Sequence, residues 1–165
     1  MTSIGLISDT HSYLDPQLIS ILLTCDEIWH AGDFGNISVY EELKSLNKNL
    51  RSVFGNIDGN DLRRLMTEDL CWEVEGVKIL MTHIGGYPGK YPSRIRLLLK
   101  ENKPGIFVCG HSHILKVIYD KEFKLLHLNP GASGKEGFHA IRTALRFKID
   151  QGNILDMSVI ELGKR

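Results

Sequence analysis

The chain has 165 residues, 42% of them hydrophobic and 24% charged, an ordinary composition for a folded domain long enough to bury a core. Its 20 Lys and Arg balance 20 Asp and Glu, so no overall field draws it to nucleic acid or to an anionic membrane. Apolar runs such as Ile21–Leu23 and Leu97–Leu99 are too short to cross a bilayer, and MTSIGLISDT reads into a strand rather than a signal peptide. Three scattered cysteines, Cys25, Cys71 and Cys109, form no C-x-x-C pair, which argues against a disulfide framework and for a reducing, cytoplasmic setting. Each is expected to be a small buried hydrophobe.

No linker, charge block or internal repeat interrupts the sequence, so one domain over residues 1–165 is expected. Ser3–Ser8 predicts a strand, and Asp15-Pro16 opens a capped helix over Pro16–Thr24 with Leu18, Ile21 and Leu22 on one face. Glu27–Ala31 is a second strand. Ile37–Leu46 is an amphipathic helix, Leu50–Phe54 a third strand and Asp61–Met66 a short helix. Cys71–Val74 and Val77–Thr82 flank Glu75-Gly76 as a hairpin. Ser93–Glu101 is a helix and Ile106–Cys109 an apolar strand. Beyond it, Leu115–Tyr119 pairs with Lys124–Leu128, and Thr143–Ile149 with Ile154–Leu162 across Asp150-Gln151-Gly152-Asn153. An alternating front half and a hairpin-rich end predict an α/β fold of packed sheets covered by helices.

Five of these strands run straight into side chains able to bind a metal. Asp9-x-His11 follows the first, Gly32-Asp33 the second and Gly55-Asn56 the third. His83 follows Val77–Thr82, and Gly110-His111-x-His113 follows Ile106–Cys109. Functional crevices of open α/β sheets lie beyond the carboxyl ends of the strands, so one sheet would gather all five at one rim. In extended chain, residues i and i+2 share a side, which lets Asp9/His11 and His111/His113 each offer two ligands. Taken singly, D-x-H, Gly-Asp and Gly-Asn are turn signals and His83 a strand-end histidine; the conjunction is what points to metal. Carboxylate, imidazole and amide oxygen suit Mn²⁺, Fe²⁺ or Zn²⁺, and the absence of thiolate speaks against a structural zinc site. Seven ligands exceed the needs of one ion and serve two if a carboxylate bridges them, with Asp33 the natural bridge.

The order D-x-H, G-D, G-N, H, G-H-x-H resembles the calcineurin-like metallophosphoesterase family, and within it the small single-domain bacterial and archaeal phosphodiesterases. The resemblance spans Ile4 to about Ala132. It implies a four-layer α/β/β/α sandwich of two mixed sheets flanked by helices. It also implies that Asp9, His11, Asp33 and His113 hold one ion, and Asp33, Asn56, His83 and His111 the other. Asp33, Asn56 and His83 are the expected catalytic residues, and Asn129-Pro130-Gly131 matches a family loop that shapes the site. Many members carry His where this chain has Ile57, and use it to bind phosphate and protonate the leaving group; Ile57 does neither. Asp58 is expected to orient its loop or a ligand.

The implied function is metal-dependent phosphoester hydrolysis, on a phosphodiester, by a metal-activated hydroxide at a dinuclear site. Mn²⁺ is the first choice of ion, followed by Fe²⁺, Zn²⁺, Ni²⁺ or Mg²⁺. The expected partner is a small phosphate-ester substrate, with neither membrane nor nucleic acid, and with homo-oligomerisation suggested by the related phosphodiesterases. The alternative is a non-catalytic protein-binding scaffold, as in the retromer subunit of similar fold. His30 and His127 are read as structural. His139 is a candidate to reach the substrate, and the segment His83–Tyr91 is a candidate lip of the cleft contributing backbone or Lys90.

Overall fold

The computed structural model describes residues 1–165. The chain runs β1 (Thr2–Ile7), α1 (Pro16–Leu22), β2 (Glu27–His30), α2 (Ile37–Ser45), β3 (Asn49–Ser52), α3 (Asn60–Arg63), β4 (Asp69–Val74) and β5 (Val77–Thr82). It continues through α4 (Ser93–Asn102), β6 (Ile106–Val108), β7 (Leu115–Asp120), β8 (Leu125–Pro130), β9 (Ile141–Asp150) and β10 (Asn153–Lys164). Every expected element is present, with ends shifted by at most three residues, the largest shift being the end of α3 at Arg63 rather than Met66. No helix is long and apolar enough to cross a membrane.

The strands form two five-stranded sheets, ordered β10-β9-β1-β2-β3 and β4-β5-β6-β8-β7. Each has a parallel centre, β1-β2-β3 in one and β5-β6-β8 in the other, with antiparallel strands completing it. The expectation of a single rim-bearing sheet is therefore corrected. The ligand-bearing strands divide between two sheets, three in the first and two in the second, whose C-terminal ends come together.

The period-2 pattern of the strands explains this stacking. Ile4 and Leu6 of β1, Ile106 and Val108 of β6, and Phe147 of β9 meet between the sheets around Trp29. The alternate residues face outward, where Ile7 and Ile28 pack beneath Leu18 and Leu22 of α1 and Val39 and Leu43 of α2. Phe107 and Leu125 pack beneath Ile95 and Leu99 of α4. The result is the four-layer α/β/β/α sandwich. Asp15 accepts a hydrogen bond from the Gln17 N–H and caps α1, with Pro16 at its first position.

Glu75 and Gly76 both take positive φ, at 49° and 79°, as a two-residue hairpin loop twisted with its strands requires. Cys25 and Cys109 are buried, but Cys71 is exposed. It lies at an outward position of edge strand β4, so the reading of Cys71 as a buried hydrophobe is corrected.

Candidate metal centre

Six parallel strands point toward one end of the sandwich, and the loops leaving five of them carry the seven candidate ligands. Asp9, His11 and His113 bring their donor atoms within 4.8 Å of one another, and so do Asp33, His83 and His111. Asn56 joins the second group, its Oδ1 lying 3.0 Å from His83 Nε2. Asp33 stands between the groups, with Oδ2 3.2 Å from His83 Nε2 and 3.7 Å from His11 Nε2.

The local conformation differs from the extended one expected. Asp9, His11, Asp33, His111 and His113 all adopt positive φ, between 45° and 66°. The i, i+2 rule for strands does not apply to such turns, and His111 and His113 diverge into separate groups. Gly32 precedes Asp33 because nothing larger fits, with φ at +97° and a Cβ that would lie 2.6 Å from His83 Nδ1.

Each carboxylate has one oxygen tied and one free. Asp9 Oδ2 accepts from the Ser8 hydroxyl at 2.6 Å and the His111 N–H at 3.1 Å, leaving Oδ1 buried with no hydrogen-bond partner. Asp33 Oδ1 accepts from the Ile57 N–H at 3.0 Å, leaving Oδ2 turned to the two histidines. Asp58 accepts N–H bonds from Asp33, Gly55 and Gly35, at 3.1, 2.7 and 2.9 Å. It thereby binds the loops after β2 and β3 together.

The imidazoles are similarly aimed. His83 Nδ1 lies 2.7 Å from the Ala31 carbonyl, so this nitrogen donates and Nε2 presents its lone pair. That lone pair faces two further acceptors, Asn56 Oδ1 and Asp33 Oδ2. His11 Nε2 is buried without a partner, and His113 Nε2 lies 3.1 Å from Asp9 Oδ1. Converging lone pairs without donors repel unless a proton or metal cation sits among them, and so the residues fit divalent ions. The titration behaviour has the same origin. Burial works to raise Asp9, yet the imidazoles of His11 and His113 hold its carboxyl well below the ordinary carboxylate range. The Asp9 carboxylate, its Oδ1 3.9 Å from His11 Nε2, raises His11 against burial. Burial works to lower His83, but Asp33 and Asp9 raise it overall.

Asn129 anchors the G-H-x-H loop, its Nδ2 donating to the Gly110 carbonyl at 2.9 Å and to the Ser112 hydroxyl at 3.1 Å. A cleft of about 260 Å³ beside the cluster is lined by Asn56, His83, Phe54, Arg63, Thr82 and other residues. Its Arg63 was not legible as a site residue; it follows Asn56 on α3 and enters only through the fold. Lys90 lines neither this cleft nor the neighbouring cavity that Gly86 and Tyr87 border, which corrects its reading as a cleft residue. His139 contacts His113 and borders a separate surface pocket with Phe138 and Arg165, not the cleft lined by Asn56 and His83. His30 and His127 stay outside both ligand groups, on outward-facing strand positions.

Two adjacent sets of oxygen and imidazole donors, with Asp33 between them, could hold divalent cations. The chain belongs to the calcineurin-like phosphoesterase superfamily, whose domain model matches residues 2–152. Comparison with curated proteins finds no match. Among solved structures, the fold is similar to an archaeal phosphodiesterase at 23% identity and TM-score 0.78, with 97% of this chain and 99% of that one covered. It is also similar to Vps29 of Chaetomium thermophilum at 12% identity and TM-score 0.77, with both chains covered completely, at 100%. Vps29 of Entamoeba histolytica in complex with Zn²⁺ aligns at 17% identity and TM-score 0.74, over 96% of this chain and 98% of that one.

Proposed function

We propose that this protein is a phosphodiesterase acting on a small phosphate ester, as one domain over residues 1–165, in the cytoplasm. Asp9, His11, Asp33 and His113 would hold one divalent ion, and Asp33, Asn56, His83 and His111 a second, with Mn²⁺ the first candidate. The observation that carries this reading is Asp33 Oδ2, a free carboxylate oxygen within 3.7 Å of a histidine nitrogen from each group. When bound, such a pair supplies Lewis acidity toward a phosphoryl oxygen and lowers the pKa of water toward about 7.

The chain's own residues supply the frame. Asp33 contributes the shared anion, oriented by the Ile57 N–H. The Ala31 carbonyl fixes the tautomer of His83, and Asn56 adds a neutral oxygen on the side open to the cleft. Cys109 lies 3.7 Å from His127 Nε2, but it is fully buried and its thiol is held up at about 12 by that burial, so water is the proposed nucleophile. The test is hydrolysis of an aryl phosphodiester with added Mn²⁺, alongside metal analysis of the protein. Asp33→Asn should abolish nearly all activity and weaken both ions, because a neutral amide cannot replace a bridging anion. Full activity in that variant would sink the two-ion scheme.

The likeness to Vps29 favours a second reading, a protein-binding scaffold, and exposed Ile84, Ile114 and Phe138 beside the site would suit a partner. Loss of all hydrolysis in a metal-loaded protein would select it.

A further inference from the structure

The segment 133–139 after β8 belongs to neither proposed ligand set, yet it is strapped to one of them. Ser133 and Gly134 donate their N–H groups to the carbonyls of Ser8 and Asp9, at 3.0 Å each. Gly137 adopts φ +118°, and a Cβ there would overlap the His113 ring, so backbone lies directly against that imidazole. His139 closes the loop. Its Nε2 lies 3.0 Å from the Gly134 carbonyl, and its Nδ1 lies 3.2 Å from Nδ1 of His113.

These contacts determine where the hydrogens sit. A carbonyl only accepts, so His139 Nε2 carries a hydrogen. In the neutral ring Nδ1 is then a lone pair, and it accepts from His113 Nδ1–H. His113 is left with its lone pair on Nε2, the atom facing Asp9 Oδ1 at 3.1 Å. The hydrogen bonds run from the Asp9 carbonyl through Gly134 and His139 to His113, whose bare Nε2 then faces the Asp9 carboxylate, one acceptor toward another. With both ring nitrogens engaged, His139 has none free to protonate a leaving group.

We propose that His139 is a positioning residue that fixes the tautomer and ring orientation of His113, preparing the Asp9–His11–His113 group for a divalent cation. The cation rests on the dinuclear reading; the tautomer does not. Partners of this kind typically contribute about 10–100-fold to metal affinity.

Long-range proton–nitrogen NMR correlations on the metal-free protein read the tautomer directly. Wild-type His113 should be the Nδ1–H form, and His139→Ala should convert it to a mixture rich in the Nε2–H form. Calorimetric titration with Mn²⁺ should show one of two sites weakened about 10–100-fold in His139→Ala, with the other unchanged. His139→Gln, whose amide oxygen can accept the His113 hydrogen, should restore most of that affinity. An Nε2–H tautomer at His113 in the wild type would overturn the proposal. So would unchanged tautomer and affinities in His139→Ala. If that variant does not fold, the wild-type tautomer and the His139→Gln titration decide. Failure of wild type to bind Mn²⁺ would instead overturn the dinuclear reading, leaving the tautomer measurement to judge His139.

Discussion

Left-handed backbone at Asp9, His11, Asp33, His111 and His113 sets a cost of about 1–2 kcal/mol for each such non-glycine residue. Glycine would relieve that cost at any of the five, so the side chains are there for another reason. The adjacent Ile57 is 45% exposed, and while its N–H serves Asp33, its side chain has no proton to give. A positioned acid contributes about 10²–10⁴-fold, most where the departing alkoxide is poor. Activity on aryl phosphodiesters should therefore far exceed that on alkyl ones. A series of diesters graded by leaving-group pKa, with saturating Mn²⁺ and chemistry rate-limiting, should fall steeply; a flat profile would require another acid.

The seven candidate ligands were legible as a set because each follows a strand and few packing needs put histidine there in pairs. The relay through His139 was not, since it joins residues 26 apart across a loop whose path the sequence does not encode locally. Nor did the D-x-H and G-H-x-H spacings betray left-handed turns, because strand and turn use the same residue types here.

At the scale of elements, alternation along β2 and β8 places His30 and His127 on the helix-covered faces. His30 stacks on Phe34 with ring centroids 3.5 Å apart, accepts from the Gly32 N–H at 3.1 Å and meets the Thr10 hydroxyl at 3.0 Å. His127 Nδ1 lies 3.1 Å from the Tyr91 hydroxyl. Burial lowers His30 from 6.5 to about 3 and His127 from 6.5 to about 4. Both are neutral when folded. Below pH 6.5 the unfolded chain takes up protons that the folded one refuses, so stability present above that value is lost as pH falls toward the folded values. Each histidine contributes a slope of about 1.4 kcal/mol per pH unit. Urea unfolding of metal-free protein between pH 6 and 4.5 should show His127→Gln losing about that much slope relative to wild type, with Mn²⁺ binding intact. An unchanged slope, or a lost ion, would contradict a purely structural His127.

Periodicity revealed nearly every element, as the agreement of β5 and α4 with expectation illustrates. That pattern suggested packed sheets but not which strands each holds, because β6 pairs with β8 and β1 with β9 through contacts distant in sequence.

For the molecule as a whole, the two ligand groups draw on both sheets. Asp9 and His11 come from the first sheet and His113 from the second; Asp33 and Asn56 come from the first, His83 and His111 from the second. A cation in either group ties the sheets at that end. Free Mn²⁺ at 100 times Kd should add about 2.7 kcal/mol of stability per site. Amides from Ser8 to Ser12 and from Cys109 to Ser112 should exchange more slowly. Chelation should reverse both effects, and Mn²⁺ binding without any change in exchange would show that the ions do not bridge the sheets.

The interior between the sheets, from Ile4 to Ile149, contains none of the seven candidate ligands, all of which sit on loops beyond the strand ends. Chemistry and architecture can therefore evolve separately. Substitutions at the rim can erase a reaction while the sandwich still folds. For this chain, the histidines held in strained turns are a better guide to chemistry than overall shape.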